Sequence, residues 1–206
     1  MMYKYATGNC IEEIQTYFYT EYKGMPFLDA WKDSRKKILN SHTIPKSFSQ
    51  ESFHLLENDS SILSVNDILD ILLSNDKYVN TKDIIKTLYL SMETKKDQHI
   101  IILLKNLLKR FEITKRVHDV YGKNYKPKDI ELYKNLELYI CLAEIFEKAY
   151  SIFNDLPYLN ALLKIIDSIS SVFASLNNEE KSRLCFLVEN EYHHVNQLAN
   201  SIGVIL

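Results

Sequence analysis

The chain has 206 residues, 46% of them hydrophobic and 25% charged, and a formal net charge of -2. These values argue against a disordered or membrane-spanning chain, and the near-neutral balance excludes a global pull toward nucleic acid or acidic lipid. Only four Gly and four Pro leave few tight turns, which points to helices joined by short loops.

The first forty residues predict two helices. Asn9 suits an N-cap with Glu12 three positions on, and Ile11, Ile14, Phe18 and Tyr22 follow at helical spacing until Gly24. Tyr17, Phe18, Tyr19 and Tyr22 cover more than one face of that helix, as expected where Tyr supplies both apolar area and a hydrogen-bonding tip to a partner. Pro26 suits a first turn, and Phe27, Ala30, Trp31, Ser34 and Ile38 continue a second amphipathic helix. Its charged outer face holds Asp33, Arg35, Lys36 and Lys37. Residues 40–48 read as a loop, and residues 49–61 support at most one short helix around Phe53 to Leu56. Ser64 and Thr81 each open a further short helix, with a hydroxyl that can accept from first-turn amides and an acidic residue close behind.

From residue 97 the pattern changes to long helices, expected at 97–112 or beyond, 129–154, 157–176 and 178–202. The helix at 129–154 carries two apolar seams. Leu132, Leu136, Tyr139, Ala143, Phe146, Tyr150 and Phe153 form one; Leu138, Leu142, Ile145, Ala149 and Ile152 form the other. A helix so apolar must be covered on several sides, leaving in water only the narrow stripe of Lys134, Glu137, Glu144, Lys148 and Ser151. Asn177 or Asn178, with Glu180, opens the last helix, whose seam runs Cys185, Val188, Tyr192, Val195, Ala199 and Ile202. The expected fold is all-α: an antiparallel bundle of about four long C-terminal helices at 97–206, with the shorter helices of 1–96 packed on it.

Cys10, Cys141 and Cys185 are odd in number and set among apolar or helical residues, so they read as reduced thiols. The N-terminus lacks a signal-peptide core, and the longest aliphatic run, Ile100 to Leu104, is too short to span a bilayer. A cytoplasmic protein without membrane contact is the expectation.

Common catalytic plans are missing: there is no glycine-rich phosphate loop, HExxH, CxxC or GxSxG. One local charge feature stands out. Between Lys105 and Lys128 eight basic residues face two acidic ones, +6 for the segment against -8 for the rest of the chain. Three helices of increasing length followed by the β-branched, turn-containing stretch Ile113 to Lys126 resemble the layout of a winged helix-turn-helix domain. That resemblance implies nucleic-acid binding through Lys109, Arg110, Lys115, Arg116, Lys123 and Lys126. The inserted METKK and the apolar IIILL of the third helix depart from that layout. In the competing reading, 97–120 is one bundle helix whose basic residues face solvent.

His118-Asp119 resembles the dyad of metal-dependent helical phosphohydrolases, which implies a metal held with a further His, such as His99 or His54, and a further Asp, such as Asp155 or Asp167. Glu191 and His194, three apart, resemble half of a di-iron bundle motif, for which Glu137 and Glu144 could add carboxylates. The simpler reading of the neighbouring Glu189 and His193 is an exposed pair one turn apart.

No family is recognised. The leading expectation is a non-enzymatic helical regulator, adaptor, inhibitor or effector without a cofactor. It would bind a protein partner or a second copy through Tyr17, Tyr19, Tyr22 and Trp31.

Overall fold

The computed structural model describes Thr16, residues 27–45, 64–73, 80–92 and 98–114, His118, and residues 136–201. The fold is all-α. Among the described residues there are seven α-helices, one 3-10 turn and no strand. The helix expected after Asn9 lies outside the described residues apart from Thr16, which is helical. No described helix is long and apolar enough to cross a membrane. The chain divides into two compact units, Met1–Phe48 with Asn154–Leu206, and Ser49–Phe153.

In the first unit, α1 (Phe27–Ser41) and α6 (Leu156–Ser170) both pack on α7 (Asn178–Ser201). Helix α7 begins with a reciprocal cap: the Asn177 amide donates to Glu180 Oε2 at 2.8 Å, and the Glu180 amide donates to Asn177 Oδ1 at 2.9 Å. Two otherwise orphaned amides are thereby satisfied. Along α7, Cys185, Val188, Val195 and Ala199 of the expected seam are buried, Tyr192 is half-buried and Ile202 lies outside the described residues, while Leu184 and Leu187 are buried beside the seam.

Helix α6 stops at Ser170, six residues short of the expected end, and a 3-10 turn, Phe173–Ser175, follows. Serine hydroxyls bond back to the main chain around this stop. Ser168, Ser170 and Ser171 donate to the Lys164, Ile166 and Ser168 carbonyls at 2.9, 2.6 and 2.7 Å, and Ser175 closes the 3-10 turn on Val172 O at 2.7 Å. Such local bonds offer the backbone an alternative to continuing the helix.

The second unit holds α2 (Val65–Leu73), α3 (Thr81–Ser91), α4 (Gln98–Thr114) and α5 (Leu136–Phe153). Helix α2 packs on α3 and α4, while α3 packs on α4 and α5. Ser64 caps α2 as expected: its hydroxyl accepts from the Asp67 amide at 3.2 Å, and its own amide donates to Asp67 Oδ2 at 3.0 Å. Thr81 does not cap α3. Asn80 holds that position, and the buried Thr81 hydroxyl instead accepts from Arg110 Nη1 at 3.2 Å, joining α3 to α4.

Helix α5 is covered along most of its two seams: Leu138, Ile140 to Glu147, Ala149 and Tyr150 are buried, Leu136, Tyr139, Ile152 and Phe153 are half-buried, and residues 129–135, with Leu132 and Lys134, lie outside the described residues. Its Phe146 ring meets Phe111 of α4 at 6.3 Å in a tilted geometry that suits aromatic quadrupoles. The polar stripe departs from expectation, because Glu144 is buried instead of hydrated, as is Glu147. Helix α3 covers part of this side, placing the Tyr89 ring 5.5 Å from Lys148 Nζ. Asn154, at φ 51, follows α5 in the left-handed region that Asn tolerates.

Phe146→Ala should cost about 3–5 kcal/mol in chemical denaturation by leaving a cavity. Leu142→Asp, which buries a charge without a partner, should leave no cooperative transition by circular dichroism.

Candidate functional site

Two constellations stand out, one buried and one exposed. The buried one is built by three helices of the first unit. Trp31, Arg35 and Ile38 recur at helical spacing on α1 and are all buried; the Arg35 and Glu191 side chains have no exposed surface. Arg35 Nε donates to Glu191 Oε2 at 2.7 Å and Nη2 to Glu191 Oε1 at 2.8 Å, a two-pronged pair that fixes both planes. Arg35 Nη1 donates to Asp167 Oδ1 on α6 and also to Ser34 Oγ at 3.2 Å. The Trp31 indole N–H reaches Glu191 Oε1 at 3.4 Å, and its ring stacks on Tyr192 with centroids 5.3 Å apart. His42 joins Ser182 Oγ at 2.9 Å and ties the segment after α1 to α7.

The cluster brings two carboxylates to one guanidinium. Burial, then the neighbouring Glu191 charge, pushes the Asp167 carboxyl from 3.8 up to about 8. A protonated Asp167 can still accept from Arg35 through its carbonyl oxygen, while Arg35 and Glu191 neutralise one another. The Asp167 side chain keeps 24% of its exposure, so a proton can reach it from solvent.

This geometry revises several expectations. Trp31, placed on a contact surface by sequence, is wholly buried. Arg35, assigned to a solvated face with Asp33, Lys36 and Lys37, is buried while those three are exposed. Glu191, offered as a metal ligand beside His194, is committed to Arg35 and Trp31, and Asp167, offered to His118, is committed to Arg35. His118 is buried, while Asp119 and His54 lie outside the described residues. Among the described residues no three His, Cys, Asp or Glu side chains gather as a metal site would need. His193 joins Gln197 at 2.7 Å.

Of the six residues in the nucleic-acid reading, Lys115, Arg116, Lys123 and Lys126 lie outside the described residues, and so does the expected hairpin beyond Thr114. Arg110 is buried, with Nε donating to Asn106 Oδ1 at 2.9 Å and Nη1 to Thr81, which removes it from any phosphate-facing surface. Lys109 is exposed. Tyr17, Tyr19 and Tyr22 lie outside the described residues.

The exposed constellation is on α4. Its inner face buries Ile100, Leu103, Leu104, Leu107 and Phe111, whereas Ile102 and Ile113 keep 47% and 54% of their surface. Residues 102, 109 and 113 fall within about 40° of arc at 100° per residue, so the two isoleucines bracket exposed Lys109 on one face, with exposed Lys105 alongside.

No protein-family model, curated protein or solved structure matches the chain.

Two outcomes test the buried cluster. Glu191→Ala should cost about 3–5 kcal/mol in denaturant melts, because Arg35 is left charged and buried. Between about pH 4 and pH 8 the native state holds an Asp167 proton that the unfolded chain releases, so this group lowers stability as pH rises and its full cost is present above about pH 8. Stability of the wild type relative to Asp167→Asn should therefore fall from pH 5 to pH 8.5, by at most about 1.4 kcal/mol per unit. A pH-independent difference would contradict the assignment.

Proposed function

We propose that this chain is a non-enzymatic helical protein that works by protein–protein contact, as a regulator, adaptor, inhibitor or effector, and that the outer face of α4 is its contact surface. The observation that carries the reading is the pair Ile102 and Ile113, large apolar side chains about half exposed on one face of a helix whose inner face buries Ile100, Leu103, Leu104, Leu107 and Phe111. A covering partner would remove that apolar area from water at about 25 cal/mol per Å². Arg110, held by Thr81 and Asn106, fixes α4 against α3, so the face sits on an element that needs little ordering to bind.

The N-terminal tyrosines Tyr17, Tyr19 and Tyr22 are proposed as a second contact. A reducing, cytoplasmic setting belongs to the same reading and is supported by the burial of Cys141 and Cys185. Burial, then Glu189, pushes the Cys185 thiol up to about 11, which keeps it protonated and unreactive.

A photo-crosslinking amino acid placed at the exposed Glu112, next to Ile113, tests the proposal against the same group at the exposed Asp33 of α1. In lysate of the native host, the Glu112 position should give a discrete polypeptide adduct and the Asp33 position none. Absence of an adduct, together with turnover of a nucleotide or metal-dependent substrate by the purified protein, would overturn it.

A further inference from the structure

We draw no further inference here: the strongest candidate, the surface patch on the outer face of α4 that holds Ile102 and Ile113, belongs to the contact already proposed, and nothing in the structure shows what covers it.

Discussion

The first unit is organised by one buried cation. Arg35 cannot release its charge, and taking a guanidinium out of water costs several kcal/mol unless its donors are met. Glu191 meets it from α7 with two bonds and Asp167 meets it from α6, so three helices are held in register by one side chain. Trp31 then has both a partner for its N–H and a ring to stack on. Apolar packing alone would let α1 slide or rotate on α7, whereas a two-pronged ion pair fixes both position and angle.

The second unit handles polarity differently. Lys86, Arg110, Glu144 and Glu147 are all buried there, two cations and two carboxylates, whereas the first unit's cluster carries one cation for two carboxylates. Burial, and then the second carboxylate beside it, is why a proton settles on Asp167. Side chains taken out of water in this way hold the scaffold, and an interaction surface has to be sought among those left in water.

Periodicity made the helices legible. Two seams foretold that α5 would be covered nearly all round, and Asn177 with Glu180 foretold the start of α7. Long-range polar pairing was not legible. Arg35 stands in a run of charged residues, DSRKK, and nothing local distinguishes it from Lys36 or Lys37; its partner lies 156 residues away. The same blindness placed Glu144 in water, put Trp31 on the surface and offered Glu191 to a metal. The apolar run of α4 concealed the opposite case, an isoleucine whose position on the helix turns it outward.

The claim on which this account depends most directly is that Arg35 and Glu191 form a coupled structural pair that holds α1 on α7. A double-mutant cycle with Arg35→Met and Glu191→Leu measures it. The account predicts that each single substitution destabilises by about 3–5 kcal/mol while the double variant recovers most of that loss, giving a coupling energy of about 3 kcal/mol. Additive losses with no coupling would show that the two charges do not depend on each other, and would contradict it.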